Sequence, residues 1–198
     1  MEAASELIWE YSYGAVTIDA ICERAGVKKG SFYYFFESKS DLALVAIQKW
    51  WVARQAMIEE VFRPEVPPLE RIHRYMDFIA ERQIASFELT GQVLGCPLFG
   101  LGSEISNQDE PLRKLIQEIL TRGALYFESA IRDAQRSGEL PGTNATIKAR
   151  QLLAYYEGTL TRARIQNDPE LVRNLASESL ELLGANPAQS PLVLASVS

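Results

Sequence analysis

The chain has 198 residues, of which 47% are apolar and 23% charged, a composition typical of a globular protein with a substantial core and not of a disordered or fibrous chain. Its two cysteines, Cys22 and Cys96, lie far apart, which excludes a CxxC redox motif, a zinc ribbon and a disulfide framework. The single histidine excludes a multi-histidine metal centre, and the net charge of −6 would ordinarily argue against a nucleic-acid partner.

The charge is distributed unevenly along the chain. Between residues 20 and 39, four basic side chains stand against two acidic ones. Such a patch on an acidic body can bind phosphate locally while the body resists non-specific binding to nucleic acid. The first residues do not have the pattern of a signal peptide, and no stretch has the roughly eighteen apolar residues of a membrane span. We therefore expect a cytoplasmic protein without a membrane partner.

Helical spacing of apolar residues predicts three short helices at the start of the chain. A first helix is expected over residues 3–11, and Thr17 is expected to cap a second over residues 18–25. The inward face of the second helix is expected to comprise Ile18, Ile21, Cys22 and Ala25. Gly26 can take the positive φ that a helix C-terminus favours, and a third helix is expected over residues 28–36. This arrangement predicts a helix-turn-helix unit.

The remaining periodic segments also predict helices, and no segment alternates like a strand. In chain order we expect a fourth helix capped by Ser38 or Ser40 and ending before Pro64, a fifth over residues 68–89, a short one ending at Ser106, a long one from Pro111 to near Gly138, and two more over residues 144–165 and 169–183. The apolar stripe of the fourth is expected to contain Leu42, Val45, Ala46, Trp50, Ala53, Met57 and Val61. The predicted fold is all-α.

Cations flank the third helix where phosphates could bind. Lys28 and Lys29 stand at its N-terminus, where backbone N–H groups also favour a phosphate, and Lys39 is a second cationic anchor at the start of the next helix. Three aromatic side chains are expected to face inward and hold this helix against its neighbours: Phe32, Phe35 and Phe36. The third helix is therefore a candidate recognition helix.

Small and hydroxyl-bearing residues complete the candidate DNA surface. Gly30 and Ser31 allow close approach to base edges, and the hydroxyls of Tyr33 and Tyr34 can bond phosphate oxygens or bases. Thr17, at the start of the second helix, is assigned to the same set. The predicted partner of this surface is double-stranded DNA.

These residues resemble the DNA-binding domain of the TetR family of repressors. The similarity lies in TIDAICERAGVKKGSFYYFF, residues 17–36, and SKSDL, residues 38–42. It implies that Tyr33 and Lys39 contact phosphates of a palindromic operator. It also implies that three positions lie at or near the bases: Lys29, Ser31 and Tyr34. The basic arm that often precedes this domain is replaced by Glu2 and Glu6, so arm contacts are not expected.

A second resemblance lies in GCPLFGLGSEI, residues 95–105, together with Glu157 and Gly158, which is similar to a subgroup of TetR-type regulators with a GC-P/L-L-x-x-L-x-x-E motif. The family resemblance implies middle helices that enclose a pocket for a small-molecule effector and two last long helices that pair with a second copy. It therefore implies a homodimer. The predicted domains are a helix-turn-helix DNA-binding domain at 1–44, a helical effector-binding and dimerisation domain at 45–184, and a flexible tail at 185–198.

Aromatic residues and a cysteine around the predicted middle helices are candidates for the effector pocket. They are Trp50, Tyr75, Phe78, Cys96, Phe99, Tyr126 and Tyr155. Aromatic side chains at helical spacing are also common core residues, and Cys96 is either a reactive thiol near a helix N-terminus or a small packing residue. Both interpretations stay open from the sequence.

The predicted function is transcriptional regulation, by a repressor that a small molecule or a thiol-reactive compound releases from its operator. The alternative is a helical adaptor that binds a protein and not DNA. A helical enzyme or carrier is disfavoured because the sequence contains no paired nucleophile and base, no metal-ligand cluster and no phosphate-binding loop. No catalytic residue, metal or cofactor is predicted.

Overall fold

The computed structural model describes residues 2–105 and 108–185, and every regular element within these ranges is helical, which confirms the all-α prediction. In chain order the helices are α1 (Glu2–Glu10), α2 (Ile18–Ala25), α3 (Lys29–Phe35), α4 (Lys39–Val61), α5 (Pro68–Thr90), α6 (Pro97–Ile105), α7 (Glu110–Arg136), α8 (Ala145–Gln166) and α9 (Leu175–Leu183), with a 3-10 turn at Pro169–Val172. Ser106 and residues 186–198, nearly all of the predicted tail, lie outside the described residues.

The described chain divides into two compact units. The first runs to Ala56 and takes in Cys96–Leu120, so it holds α1 to α3, most of α4, α6 and the start of α7. The second takes in Met57–Gly95 and the described residues from Thr121 onward. The predicted division at residues 44 and 184 stays a prediction.

A small apolar core holds the first unit together. Its buried members are Ala4, Leu7, Val16, Ile21, Cys22, Phe32 and Leu42. Ile18 and Phe36 pack against this cluster as partly buried residues. Ala25 was expected to face the same core but is exposed, because α2 ends there and Ala25 lies at the helix terminus. The core therefore fixes one face each of α1, α2 and α3.

Local signals at both ends of α2 have the predicted geometry. The Thr17 hydroxyl accepts the N–H of Ala20 at 3.1 Å, which satisfies one of the free donors of the first turn. At the other end Gly26 has φ +66°, and its N–H donates to the carbonyl of Glu23 at 3.1 Å. The N–H of Val27 donates to the carbonyl of Cys22 at 2.9 Å, so the chain reverses without leaving carbonyls of α2 unsatisfied.

Helix α4 begins as predicted but buries a different stripe. The Ser38 hydroxyl accepts the N–H of Asp41 at 3.0 Å, which selects Ser38 over Ser40 as the cap. The buried side chains of this helix are Leu42, Ala43, Ala46, Ile47, Trp51 and Ile58. The predicted stripe was wrong at Ala53, which is exposed, because the buried face is rotated toward Ala43, Ile47 and Trp51.

In the second unit α9 packs against both α5 and α8, and the 3-10 turn contacts the same two helices. Asn144 caps α8 through its side chain, which accepts the N–H of Ile147 at 3.0 Å. One helix was predicted over residues 169–183, which was wrong: the chain forms the 3-10 turn first and α9 begins only at Leu175. Val172 and Leu175 are both fully buried, so each of the two short elements contributes its own anchor to the core.

Glycine positions 26 and 30 allow a matched test of the turn. Gly26→Ala is expected to lower the free energy of unfolding by about 1 kcal/mol, because a positive φ is strained for an L-residue with a Cβ atom. Gly30→Ala, inside α3 with no heavy atom within 4 Å of an added Cβ, is expected to raise it by about 0.5 kcal/mol. Denaturant unfolding followed by circular dichroism measures both values. A Gly26→Ala variant as stable as Gly30→Ala would contradict the role assigned to the turn.

Candidate nucleic-acid interface

Helix α3 is held in place by a single buried side chain. Phe32 is 5% exposed and lies in the core of the first unit. Its ring contacts Tyr33 edge-on at 5.2 Å between centroids and Phe36 at 5.7 Å. Because burial of Phe32 fixes the rotation of the helix about its axis, the residues on the opposite side are directed to solvent.

The opposite side of α3 presents the predicted DNA-contacting residues. Lys28, Lys29, Gly30 and Ser31 are exposed, and Tyr34 is 82% exposed. Tyr33 is half-exposed on the flank of the helix. We call these exposed residues, 28–31, 33 and 34, the α3 face. The surface has the small, cationic and hydroxyl-bearing character expected from the sequence.

The prediction that Phe35 faces inward was wrong. Its side chain is 71% exposed, and its ring packs edge-on against Tyr34 at 4.8 Å between centroids. The helix ends at Phe35, and Phe36 has extended backbone with φ −135°. This change of backbone lets Phe36 turn back to the core while Phe35 stays at the outer edge of the α3 face.

An ion pair joins the α3 face to the start of α2. The Lys29 ammonium lies 2.8 Å from Oδ1 of Asp19 and donates to Oδ2 at 3.0 Å. This hydrogen bond, with the charge of Asp19, raises the pKa of Lys29 above its ordinary value, so the ammonium stays charged. Both side chains remain more than half exposed. Asp19 was not among the residues that the sequence singled out.

Lys39 has contacts within the chain in addition to its predicted phosphate role. Its ammonium donates to the carbonyls of Tyr13 at 2.7 Å and Val16 at 2.9 Å, and lies 4.3 Å from the centroid of the Tyr13 ring. Partial burial lowers the pKa of Lys39 below its ordinary value, although the negative charge of Glu104 acts in the opposite direction. Since an ammonium has three donors, one remains for a phosphate.

Glu104 fixes the same stretch of backbone, residues 12–16, from another helix. Its Oε2 accepts the N–H of Tyr13 at 2.9 Å, and its Oε1 accepts the N–H of Gly14. An added Cβ on Gly14 would lie 2.6 Å from that oxygen, so the close approach depends on glycine. We call this arrangement the Glu104 clamp. Glu104 is the last residue of the GC-P/L-L-x-x-L-x-x-E pattern, which is the sequence signal that could have marked it.

Arg24 lies outside the cationic surface despite its place in the basic stretch. Its guanidinium lies 3.2 Å from Glu10 and 3.6 Å from Glu6, both on α1. The acids of α1 therefore neutralise one of the four cations counted in the sequence. The positive charge nearest the α3 face comes from Lys28, Lys29 and Lys39.

The seven candidate effector residues are divided between the two units. Tyr75 and Tyr126, of the second unit, contact three aromatic residues that were not predicted to line the pocket. Together the five rings form one cluster: Phe62, Tyr75, Tyr126, Phe127 and Tyr156. Neighbouring rings lie 5.5 to 6.4 Å apart between centroids. Phe127 and Tyr156 are buried, and the other three are partly exposed. We call this set the aromatic cluster.

The other two candidates of the second unit are Phe78 and Tyr155. Phe78 packs under the guanidinium of Arg82 at 5.7 Å. The Tyr155 hydroxyl donates to Glu178 on α9, and burial together with this bond raises the pKa of Tyr155 to about 12. Trp50, Cys96 and Phe99 belong to the first unit. Cys96 is partly exposed, and its carbonyl accepts the N–H of Gly100 at 3.0 Å at the start of α6.

The segment just before Cys96 is anchored in the second unit. The Gln83 side chain bonds both polar groups of the Gly95 backbone, accepting its N–H at 2.8 Å and donating to its carbonyl at 3.3 Å. Asn167 accepts the N–H of Val93 at 2.9 Å and donates to the carbonyl of Gly91 at 2.9 Å. Residues 91–95 are thus fixed between α5 and the end of α8, immediately before α6 begins.

Within residues 2–105 and 108–185, no three potential ligands gather into a metal-binding group. In the same part of the chain, each helix is either too short or too polar to span a bilayer. The geometry of the first unit instead defines a helix-turn-helix protein of the DNA-binding class.

Comparisons with known proteins agree with this class. The family model for bacterial regulatory proteins of the tetR family matches residues 1–46, and the model for the tetracyclin repressor-like C-terminal domain matches residues 68–178. The transcriptional regulator AcuR of Cereibacter sphaeroides is 27% identical over 172 residues, covering 86% of this chain and 77% of AcuR. The HTH-type transcriptional repressor DhaR of Mycobacterium sp. strain GP1 is 27% identical over 172 residues, covering 86% of this chain and 83% of DhaR.

A solved structure extends the agreement to the fold. The regulatory protein TetR from Rhodobacter sphaeroides matches with a TM-score of 0.80 at 24% identity, covering 91% of this chain and 95% of that one. The family models and the two named relatives show that the chain is a DNA-binding transcriptional regulator and not an enzyme. It belongs to the TetR family. Its membership of the subgroup with the GC-P/L-L-x-x-L-x-x-E motif stays a prediction.

The Glu104 clamp can be tested by removing the carboxylate. Glu104→Ala is expected to raise the amide exchange rates of Tyr13 and Gly14 about tenfold, because each loses a charge-assisted acceptor worth about 1.5 kcal/mol. Nuclear magnetic resonance of the full chain measures these rates. The control is Glu110→Ala, which removes an exposed ion pair with Lys114 on α7. Equal exchange rates at Tyr13 and Gly14 in the two variants would refute the clamp.

Proposed function

We propose that this regulator is a cytoplasmic repressor that binds a palindromic operator as a homodimer and leaves it when an effector binds its C-terminal domain. The α3 face carries the proposal, because a buried Phe32 on one side and an exposed cationic and hydroxylated surface on the other are what a recognition helix needs. The relative DhaR is named a repressor, which supports this direction of control. The proposed domains are residues 1–44 for DNA, 45–184 for effector and dimer, and 185–198 as a tail.

The residues of the DNA surface divide into two roles. Lys28, Tyr33 and Lys39 are proposed to contact phosphates, and Thr17, at the N-terminus of α2, is assigned beside them. The proposed base-contacting residues are Lys29, Gly30, Ser31 and Tyr34. Gly30 supports close approach because no heavy atom lies within 4 Å of where its Cβ would be. Phosphate contacts set affinity and its salt dependence, whereas base contacts set sequence preference.

Helix α8 supports the proposed homodimer. Its exposed residues include Ile147 at 53% and Ile165 at 79%, with exposed Ala154 and Gly158 between them at steps of seven, four and seven residues. Such spacing places all four on one helix face, where small side chains permit close helix packing. Ala163, on the same helix, is fully buried within the chain and does not belong to this face. In a symmetric dimer, two recognition helices must enter major grooves about 34 to 36 Å apart.

The aromatic cluster supports a small apolar or aromatic effector. Tyr75, Tyr126 and Phe62 are only partly buried beside the buried rings of Phe127 and Tyr156, which gives an apolar surface with phenolic hydroxyls for orientation. An effector shifts the protein only by its difference in affinity between the DNA-bound and released forms, so it must prefer the released form.

Chain continuity suggests how binding is transmitted. Residues 91–95 are anchored by Gln83 and Asn167, and α6 follows directly, ending in the Glu104 clamp on residues 12–16. A shift in residues 91–95 would therefore reach the backbone just before α2. Helix α4, which runs from Lys39 to Val61, offers a parallel route, because Lys39 holds the same stretch of backbone. Either route changes the spacing of the recognition helices without unfolding them.

The proposed phosphate contacts are tested by electrophoretic shift on the DNA flanking the gene. Tyr33→Phe and Lys39→Ala are both expected to weaken binding to every duplex by a similar factor, because phosphate contacts do not read sequence. Lys39→Ala is also expected to lower the magnitude of the slope of log affinity against log salt by about one.

Lys49→Ala, an exposed lysine on α4, serves as the control for general loss of charge. A changed sequence preference with an unchanged salt slope in Lys39→Ala would contradict the phosphate role. A wild-type protein that shifts no duplex would contradict the proposed function as a whole and favour the protein-binding adaptor.

A thiol-reactive effector is tested at Cys96. Cys96→Ser is expected to keep DNA binding and to abolish release by N-ethylmaleimide, because Cys96 is the partly exposed thiol whereas Cys22 is buried. Cys22→Ser is the matched control and is expected to respond like the wild type. A Cys96→Ser variant that is released normally by the reagent disposes of the thiol-sensor idea and leaves only the non-covalent effector.

A further inference from the structure

The Asp19–Lys29 ion pair has no sufficient explanation in folding stability. Both side chains are more than half exposed, and exposed ion pairs contribute little to stability. Lys29 is also the first residue of α3, where the positive end of the helix dipole disfavours a cation. Asp19 does interact favourably with the helix dipole in the first turn of α2, but this interaction does not require a partner on α3.

The location of Asp19 is also unfavourable for DNA binding in general. A carboxylate beside the α3 face repels the phosphate backbone that supplies most non-specific affinity. An acid in this place contributes to DNA binding only where it meets a hydrogen-bond donor on a base. In the major groove the donors are the N4 amino group of cytosine and the N6 amino group of adenine. A carboxylate suits cytosine N4 better, because the acceptor N7 lies beside N6 on adenine and repels it.

The spacing of the pair matches that of a hydrogen-bonded acceptor and donor at the major-groove edge of a base pair. Lys29 Nζ and the Asp19 carboxylate oxygens are 2.8 and 3.0 Å apart. In a G·C pair, guanine O6 and cytosine N4 are hydrogen-bonded to each other and are therefore also about 2.9 Å apart. Thymine O4 and adenine N6 in an A·T pair have the same spacing. Guanine, however, offers an ammonium two neighbouring acceptors, O6 and N7, and cytosine offers a carboxylate a donor with no acceptor beside it, so an ammonium next to a carboxylate favours the G·C edge.

Both groups keep capacity for such contacts. An ammonium has three donors and a carboxylate accepts at about four positions, so the mutual contact leaves at least one donor on Lys29 and further acceptor sites on Asp19. The pair also holds the flexible lysine chain in one place, which reduces the conformational entropy lost when it meets a base.

We propose that Asp19 and Lys29 act together as a base-reading pair that selects a G·C base pair in each half of the operator, with Lys29 donating to guanine and Asp19 accepting from cytosine. The proposal rests on the proposed function, since it names a specificity determinant of the same DNA surface. Neighbouring Lys28 differs from Lys29 in this scheme, because it contacts phosphate and adds affinity without preference.

The test is selection from a randomised duplex library with the full-length protein, followed by sequencing of the bound fraction. Asp19→Asn, which preserves the shape of the side chain, and Lys29→Met are each expected to reduce the G·C preference at the same position of each half-site by about tenfold. Lys28→Met is the matched control and is expected to weaken binding to all duplexes while keeping that preference. Thermal unfolding by circular dichroism verifies that each variant is folded.

Unchanged base preference in Asp19→Asn, with or without a uniform gain in affinity, overturns the base-reading pair and leaves an ordinary surface ion pair. If Lys29→Met flattens the preference but Asp19→Asn does not, the pair is likewise overturned, because the lysine then reads alone. These results differ from failure of the proposed function itself, in which the wild-type protein enriches no duplex at all.

Discussion

Burial of Phe32 in the core of the first unit is the interaction on which the DNA surface depends. Full burial of a phenylalanine side chain is worth about 1.5–3 kcal/mol, which is large beside the total stability of a small domain. Because Phe32 occupies the middle of a helix of only seven residues, its burial sets the rotation of all the others. The outward direction of Lys28, Ser31 and Tyr34 follows from this one anchor, and so does every proposed contact with DNA.

Most of the basic side chains around the helix-turn-helix unit are paired with other groups of the chain. Arg24 is neutralised by Glu6 and Glu10, Lys29 is paired with Asp19, and Lys39 is partly used in holding residues 12–16. Lone cations that would attract any phosphate are therefore few on this surface. An acidic chain with a small, partly compensated cationic surface gains little from non-specific electrostatics, so its selectivity must come from contacts with base edges and from symmetry.

Sequence reasoning succeeded where the deciding signals are local. Thr17 and Gly26 mark the ends of α2 through a side-chain cap and a positive φ, and both signals lie within a few residues of the feature they predict. It failed for Phe35, because this short helix buries only the narrow face centred on Phe32, and Phe35 lies about 60° around the helix axis from it. The helix ends at Phe35, which the sequence did not indicate.

Contacts between distant residues were beyond such reasoning. Glu104 and Gly14 are separated by 90 residues, and nothing in their local sequences states that they meet. The aromatic candidates show the same limit: spacing placed Tyr75 and Tyr126 on suitable helices, but which rings meet depends on how the helices pack, and Phe62, Phe127 and Tyr156 were missed. The pair of Asp19 and Lys29 lies at an intermediate range, across the turn of the helix-turn-helix unit.

Hydrogen–deuterium exchange of the full-length protein, with and without a duplex spanning the DNA next to its gene, tests the outward recognition surface most directly. We expect the duplex to slow exchange in peptides that cover residues 28–34, with a smaller effect on the start of α2, since bound DNA shields and stabilises these amides. Slowed exchange confined to the second unit, with residues 28–34 unchanged in the presence of saturating duplex, would contradict the account.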